Sequence, residues 1–211
     1  MTPRCQRAPH PMGLVRCGKL HDHGVRARFP GPDPTDAGSM TGRFYVAPGA
    51  SGTSASMAPY VDGLRRRGIT ATAIDIPKRK AEDAVDAYVA LAPPGAGVVI
   101  GGQSYGGRVA SLATAREAYA GLVCFSYPLH RPGHPETAAE RIAHWPYIAC
   151  PVLLLSGEAD PFARIDLLRA CVGRLRKAEL VTYPGLGHTL KPVLEDVLDR
   201  TTRFIASLTA P

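Results

Sequence analysis

Several features of membrane and disulfide-stabilised proteins are missing from this sequence. It contains no run of about eighteen uncharged apolar residues, so no membrane-spanning helix and no membrane partner are expected. Its N-terminus has no continuous apolar stretch long enough for a signal peptide. The five cysteines are odd in number and irregularly spaced, which does not describe a disulfide framework. These absences predict a soluble, cytoplasmic protein.

Dense positive charge is also scarce, although the chain carries a net charge of +7. Residues 65–67 and 78–80 are the only dense basic runs after residue 39, and no aromatic residues are interleaved with them. We therefore expect these runs to be solvated helix ends or loops, and we expect no nucleic-acid partner. A length of 211 residues with 45% hydrophobic content suits one globular domain with a single sizeable core.

The first part of the chain differs from the rest. Residues 1–39 show no sustained hydrophobic period, which predicts a disordered extension. Alternatively, the natural chain starts at Met40, which the first convincing strand follows at once, and the preceding segment is an upstream translation. Cys17, His21 and His23 are residue types that bind metals, but no second pair stands at zinc spacing. We expect no metal, no cofactor, and a folded domain over residues 40–211.

From Arg43 onward, strand and helix patterns alternate at short intervals, which is typical of a parallel sheet with crossover helices. The apolar strands lack strict alternation, which indicates that helices cover both faces. We predict an α/β fold of three layers, with a mostly parallel sheet of about six strands. A Pro- and His-rich stretch between Tyr127 and Tyr147 predicts a small cap over the strand ends. The predicted strands are residues 44–47, 70–74, 98–100, 122–125, 152–155 and 180–182, and the predicted helices are residues 54–67, 81–91, 105–117, 164–174 and 192–208.

The most informative motif is Gly102-Gln103-Ser104-Tyr105-Gly106, which lies between an apolar strand and a helix. This setting is typical of a nucleophile elbow, in which a strained backbone presents the serine above the sheet edge. Glycines two residues before and after the serine let neighbouring segments approach closely. We therefore predict that Ser104 is a nucleophile.

A serine hydroxyl is a weak nucleophile unless a histidine takes its proton and a carboxylate holds that histidine in the right tautomer. In folds that carry a nucleophile elbow, the acid and then the histidine follow the serine along the chain. Asp160 follows the strand predicted at 152–155, and His188 follows the strand predicted at 180–182. Glu158 is the nearest competitor as the acid. The alternatives are that Asp160 only caps the next helix and that His188 is a satisfied histidine in a turn.

Attack by the serine creates an oxyanion, which needs backbone N–H donors. One donor is expected from Tyr105, directly after the nucleophile. The other is expected from residues 48–52, the loop after the first strand, whose small residues permit close backbone approach. We favour the amide of Ala50, with Ser51 second. The alternative is a tight strand-to-helix turn that binds no ligand.

Three residues are predicted to contact substrate: Ser51 in this loop, His130 in the cap and Arg108 in the nucleophile helix. Arg108 lies where it could reach a substrate carboxylate, but a surface or cap ion pair is the stronger interpretation. His130 and His134 are four residues apart, yet the intervening Pro-Gly pair breaks any helix that would align them as metal ligands. We expect both histidines to line the cap instead.

From about Arg43 to its end, the chain resembles the α/β-hydrolase superfamily. More narrowly, the segments GGQSYGGR at 101–108 and YPLH at 127–130, together with Gly133, look like compact predicted hydrolases. These include the hydrolase-like domain of a chromatin non-specific-lethal complex subunit and are related in turn to dienelactone hydrolases. The resemblance implies a Ser–Asp–His triad on the three residues named above. Pro48 is a departure, because members of the superfamily often carry His before the Gly of the oxyanion loop.

Together these residues predict a serine hydrolase of esterase type that cleaves a small acyl ester, thioester or lactone through an acyl-enzyme. The expected partner is a small-molecule acyl substrate, and the expected state is a monomer or homodimer. The alternative from another class is a catalytically idle hydrolase fold that serves as an interaction module, which the chromatin-associated relatives suggest. Acyl transfer or perhydrolysis on the same triad is a third interpretation.

Overall fold

The computed structural model describes residues 42–209. The expectations for residues 1–39, the possible start at Met40 and the potential metal ligands near the N-terminus all lie outside the described residues. Between residues 42 and 209, no helix is long and apolar enough to cross a membrane.

The centre of the fold is a sheet of six parallel strands: β1 (Arg43–Ala47), β2 (Thr70–Ala73), β3 (Gly95–Gln103), β4 (Tyr119–Phe125), β5 (Val152–Gly157) and β6 (Ala178–Tyr183). Their hydrogen-bonded order is β2-β1-β3-β4-β5-β6, and every neighbouring pair is parallel. Because all strands run the same way, the loops that follow them meet at one edge of the sheet, where α/β folds place their sites.

All six predicted strands are present, and the predicted three-layer α/β fold is confirmed. The largest difference is in β3, where the predicted 98–100 is too short because glycines occupy several of the remaining positions. One of these is required by packing: a Cβ at Gly101 would collide with the carbonyl oxygen of Val123 on β4 and lie 3.1 Å from the Phe44 ring. Hydrophobicity alone does not reveal strand positions at which glycine lets a neighbouring strand or side chain approach closely.

Four of the five main helices connect strands, and α6 follows the last strand. The helices are α1 (Ala58–Arg66), α2 (Val85–Leu91), α3 (Tyr105–Thr114), α5 (Ile165–Val172) and α6 (Leu194–Thr209), with the short α4 (Ala138–Arg141) in the cap. Three of them follow a 3₁₀ turn, so the predicted helices at 54–67, 81–91 and 192–208 each begin with 3₁₀ geometry. The helix predicted at 105–117 ends earlier, at Thr114.

Successive strand residues feed two separate apolar layers, because side chains alternate across a strand. In β5, Leu154 packs with α2, α3 and α5 on one face, whereas Leu153 and Leu155 pack with α1 and α6 on the other. Every residue of β5 is buried, and this is the physical reason for its continuous apolar run.

The cap lies between β4 and β5, where the sequence predicted it. It consists of two 3₁₀ turns, Pro135–Thr137 and Trp145–Tyr147, and the short α4. Trp145 is buried and meets the Tyr127 ring edge-on, with ring centroids 5.2 Å apart. The cap is therefore anchored to the same apolar layer as α2 and α3.

Candidate active site

Ser104 lies at the turn between β3 and α3, and its backbone is in the left-handed region, with φ 48°. A residue with a side chain rarely adopts this conformation. The turn is held in place because the Ser104 N–H donates to the carbonyl oxygen of Phe125 at 2.8 Å. A Cβ at Gly106 would lie 2.6 Å from the carbonyl carbon of Ala47, and one at Gly102 would collide with the backbone of Gly106. Only glycine therefore permits so sharp a turn.

Two loops bring a histidine and a carboxylate to this serine. His188 Nε2 lies 2.8 Å from Ser104 Oγ, and His188 Nδ1 lies 2.8 and 2.9 Å from the two carboxylate oxygens of Asp160. An ionised carboxylate can only accept, so Nδ1–H donates to Asp160 and Nε2 accepts from the serine hydroxyl. The structure thus joins the three residues predicted as nucleophile, base and acid in one chain of hydrogen bonds.

The loop that carries Asp160 also orients the imidazole. The Asp160 side chain is fully buried, and its Oδ1 accepts a 2.8 Å hydrogen bond from the Phe162 N–H. This bond and the histidine offset the cost of burying a carboxylate. The Phe162 ring packs on the His188 ring, with centroids 4.4 Å apart. Sequence reasoning did not single out Phe162, and its position two residues after the acid was the only signal.

Glu158, the competing acid, has other partners. Its Oε1 accepts from the Arg169 guanidinium at 2.6 Å and from the Thr182 hydroxyl at 2.8 Å. Both partners lie on the α5 and β6 side of the loop. An offset of two residues along the loop therefore separates an acid bound to His188 from one bound to an arginine.

The predicted oxyanion loop lies beside the nucleophile. A Cβ at Gly49 would be 3.7 Å from the Ser104 Cβ, which places the Gly49 backbone next to this serine. Ala50 lines the same cavity as Ser104. Ser51, the predicted substrate contact in this loop, is exposed and is not among the described residues that line the cavity.

Lys78 braces this loop. Its Nζ donates to the Gly49 carbonyl oxygen at 2.9 Å and lies 5.5 Å from the centre of the Tyr105 ring. Burial lowers the pKa of Lys78. The Tyr105 hydroxyl in turn donates to the carbonyl oxygen of Pro77 at 2.6 Å. The basic run at 78–80 lies in a loop, as predicted, but its first lysine connects both predicted sources of oxyanion donors.

A cavity of about 800 Å³ opens beside Ser104. Its walls come from the oxyanion loop, the segment at 79–83, the start of α3 and the cap. The described lining residues are Ala50, Arg79, Lys80, Ala81, Glu82, Asp83, Ser104, Tyr105, Arg108, Pro128, Arg131, Thr137, Glu140, Arg141 and Phe162. The site therefore has room for a small molecule within reach of the serine.

Arg108, the predicted contact for a substrate carboxylate, lines this cavity but is already engaged. Its guanidinium forms an ion pair with Glu82 and donates to the carbonyl oxygen of Arg141 at 3.0 Å. The ion-pair interpretation of Arg108 therefore describes its geometry better than the role in binding substrate. The pair ties α3 to the segment before α2 and to the cap.

His130 occupies a different place from the one predicted. It is buried, and its Nε2 accepts from the Arg164 N–H at 2.9 Å while Nδ1–H donates to the Arg131 carbonyl oxygen at 2.8 Å. Its own N–H donates to the carbonyl oxygen of Phe162. Since both ring nitrogens are bound to backbone, His130 holds the loop that carries Asp160 and has no free nitrogen for a substrate.

A second serine–histidine pair joins α3 to the cap. Ser111 Oγ donates to the Arg108 carbonyl oxygen at 2.7 Å, so it accepts from His144 Nε2–H, which lies 2.8 Å away. Burial, assisted by the positive charge of Arg108, lowers the pKa of His144 to about 4. His144 is therefore neutral in the folded protein at neutral pH.

The arrangement around Ser104 contains a hydroxyl, an imidazole and a carboxylate in contact, with backbone N–H groups nearby. Residues 42–209 contain no group of three or more His, Cys, Asp or Glu side chains that could hold a metal ion. These groups together can carry out proton transfer and nucleophilic attack.

Comparison with solved structures identifies the fold. Est1E from Butyrivibrio proteoclasticus, in a structure with ferulic acid bound, aligns with a TM-score of 0.68 and 16% identity, covering 85% of this chain and 94% of its own. A monoacylglycerol lipase from Paleococcus ferrophilus aligns with a TM-score of 0.65 and 14% identity, covering 79% and 94%. An esterase from Pyrococcus furiosus gives 0.64 and 16%, covering 83% and 86%. At identities this low, the alignments establish a shared fold and nothing more.

Sequence comparison identifies the family. No curated protein matches the sequence significantly. Residues 54–207 match the family described as an alpha/beta hydrolase domain, and this match spans most of the chain, from the helical segment after the oxyanion loop to the C-terminal helix. The chain therefore belongs to the alpha/beta hydrolase family.

Proposed function

We propose that this protein is a serine hydrolase that cleaves a small acyl ester, thioester or lactone, with residues 40–211 as its catalytic domain. The observation that carries the proposal is the continuous hydrogen-bonded chain from Ser104 through His188 to the buried carboxylate of Asp160. Each of these groups comes from a different strand-end loop. Packing alone gives no reason for three such groups to meet at a strained serine.

The proposed reaction has two halves. Ser104 Oγ attacks the acyl carbon as His188 Nε2 takes its proton, and the resulting tetrahedral intermediate expels the leaving group, which receives that proton from His188. A water molecule then attacks the acyl-enzyme with His188 again as base, which releases the acid and restores the serine hydroxyl. Asp160 keeps His188 in the Nδ1–H tautomer and stabilises the imidazolium formed at each stage.

Charge that develops on the acyl oxygen needs donors in place before the reaction. The backbone N–H of Tyr105 and that of Ala50 are the proposed pair, since one follows the nucleophile and the other lies in the loop beside it. Loss of one such donor typically costs about 3 kcal/mol of transition-state stabilisation. Lys78 supports both donors through the Gly49 carbonyl oxygen and the Tyr105 ring.

An ester substrate agrees with the names of the structural neighbours, which include esterases and a monoacylglycerol lipase. A small acyl group agrees with the cavity of about 800 Å³. Acyl transfer and perhydrolysis would use the same three residues and differ only in the second nucleophile. The rival from another class, an idle fold that binds a partner, has no physical need for the hydrogen-bonded triad.

A fluorophosphonate probe separates the enzyme from the idle fold. Such probes phosphonylate an activated serine, so we expect one adduct per chain, mapped by peptide mass spectrometry to Ser104. Heat-denatured protein and the Ser104→Ala variant should not react, and His188→Gln should react far more slowly because its serine has lost the base. A folded wild-type protein that remains unlabelled would support the interaction module instead.

A further inference from the structure

The cavity beside Ser104 carries an excess of positive charge. Its described lining includes five cationic side chains, Arg79, Lys80, Arg108, Arg131 and Arg141, against three carboxylates, Glu82, Asp83 and Glu140. Cationic clefts with low-dielectric walls attract and concentrate anionic ligands. The composition of this lining therefore bears on which acyl substrates reach the serine.

Pairing within the protein removes only part of this excess. Arg108 and Glu82 neutralise each other, and Arg108 also donates to the carbonyl oxygen of Arg141. Asp83 and Glu140 remain to oppose the other four cations. Arg79 and Lys80 lie in the segment before α2 and are exposed, as Arg131 is, so solvent and salt screen all three charges.

Arg131 and Arg141 lie in the cap wall. Arg141 is only partly exposed, and one of its guanidinium nitrogens donates to the Pro128 carbonyl oxygen at 3.0 Å. Burial lowers the pKa of Arg141, and the positive charges of Arg108 and Arg131 act in the same direction, while Glu140 acts against them. The Arg141 guanidinium therefore lies within electrostatic range of Arg108 and of Arg131. Among residues 42–209, the Arg131 side chain has no hydrogen-bond or ion-pair partner.

The backbone of Arg131 is nevertheless fixed. Its N–H donates to the Thr137 hydroxyl at 3.0 Å, and its carbonyl oxygen accepts from His130 Nδ1 at 2.8 Å and from the His134 N–H at 2.9 Å. A side chain without a partner on a fixed backbone, next to a partly buried arginine, is well suited to bind an anionic group of a ligand.

We propose that the cavity selects acyl substrates whose acyl chain carries a carboxylate, which Arg131 and Arg141 bind while the ester carbonyl lies at Ser104. This inference rests on the proposed hydrolase function. Arginine suits the task because its planar guanidinium can pair with a carboxylate through two parallel hydrogen bonds. The anion would also offset the excess positive charge of the cavity lining, which an uncharged acyl chain cannot do.

Two activated esters of equal chain length test the selectivity. Mono-4-nitrophenyl adipate ends in a carboxylate, and 4-nitrophenyl hexanoate ends in a methyl group. We expect wild-type protein to prefer the adipate ester by about tenfold or more in kcat/KM, and we expect added NaCl to reduce that preference. Arg131→Gln and Arg141→Gln should each reduce the ratio of the two kcat/KM values. Arg176→Gln, which changes an exposed arginine outside the cavity, should leave it unchanged.

The two arginine variants differ in their structural risk. Arg141→Gln removes a hydrogen bond to the Pro128 carbonyl oxygen and could disturb the cap, whereas Arg131→Gln changes only an exposed side chain. If Arg141→Gln fails to fold, the result for Arg131→Gln therefore decides the test. Equal kcat/KM values for the two esters in the wild type, or a ratio that Arg131→Gln leaves unaltered, would overturn the proposal.

A binding measurement separates this proposal from the proposed hydrolase function. Titration calorimetry of the Ser104→Ala variant with adipate needs no turnover. Adipate should bind to it, and adding Arg131→Gln should weaken that binding about tenfold or more. Absence of adipate binding would refute the anion site even if the wild type hydrolyses hexanoate. Binding by a protein that hydrolyses neither ester would instead refute the hydrolase function and leave the anion site standing.

Discussion

Replacing Asp160 with asparagine isolates the role of the acid without changing its shape. The asparagine oxygen can still accept from the Phe162 N–H, so the loop should keep its conformation. An amide that faces His188 Nδ1, however, presents either an N–H group or a carbonyl oxygen that carries no charge. If the amide N–H faces Nδ1, the imidazole proton must lie on Nε2. Nε2 can then no longer accept a hydrogen bond from the Ser104 hydroxyl.

The expected magnitude follows from that tautomer. In a serine protease, the equivalent change of Asp to Asn lowers kcat by about 10⁴-fold, which corresponds to ~5.5 kcal/mol of activation free energy. The side chain here is fully buried, so no solvent can replace the lost carboxylate. We expect Asp160→Asn to lower kcat by about 10³ to 10⁴-fold while changing the free energy of unfolding by only about 1 kcal/mol.

Hydrolysis of 4-nitrophenyl hexanoate, together with urea unfolding, provides both measurements. Glu158→Gln is the matched control, because Glu158 lies two residues away and binds Arg169 and Thr182 instead of the histidine. It should remain within a few-fold of the wild type. A folded Asp160→Asn protein with more than a tenth of wild-type kcat, or a Glu158→Gln protein with an equally large loss, would refute the reasoning.

Three further predictions concern the surroundings of the site. Gly106→Ala should cost several kcal/mol of stability or prevent folding, because its Cβ would collide with the backbone of Ala47; Gly97→Ala, where a Cβ meets open space, should change the free energy of unfolding by less than about 1 kcal/mol in urea melts. Since the pKa of His144 falls from its ordinary 6.5 to about 4 on folding, the unfolded chain binds the extra proton in this range. The free energy of unfolding should therefore rise with pH from about 4 to about 6.5, by up to about 3 kcal/mol, and His144→Gln should flatten urea midpoints measured across that range. His130→Phe should lower kcat for the hexanoate ester about tenfold or more, with a smaller change in KM, and wild-type kcat would contradict its role in positioning the acid loop.

Much of the fold was predictable because short-range signals agreed with the long-range arrangement. The continuous apolar runs of β4 and β5 indicated strands covered on both faces, and the glycines around Ser104 indicated a turn with close backbone approach. Serine, acid and histidine follow one another along the chain in the order known for folds with a nucleophile elbow, and the loops that carry them leave one edge of the sheet. The strand and turn signals depend on residues within a few positions of one another.

What the sequence could not predict depends on which loops meet in space. His130 and Arg164 are far apart along the chain, yet one ring nitrogen accepts from the other's backbone N–H. For Arg108 the sequence favoured an ion pair over a substrate contact, but it did not identify the partner, Glu82, which belongs to a segment before α2. Contacts of this kind determine whether a polar side chain is available to a ligand in the cavity or is bound to other groups of the protein.

The most direct test of the account is the kcat/KM of the Ser104→Ala variant for 4-nitrophenyl hexanoate. Ser126→Ala is the control, because Ser126 also has a positive φ and its buried hydroxyl has no hydrogen-bond partner among the described residues. The account predicts a loss of about 10⁵-fold or more for Ser104→Ala and near-wild-type kinetics for Ser126→Ala. A folded Ser104→Ala protein that hydrolyses the ester at the wild-type rate would contradict the claim that Ser104 is the nucleophile.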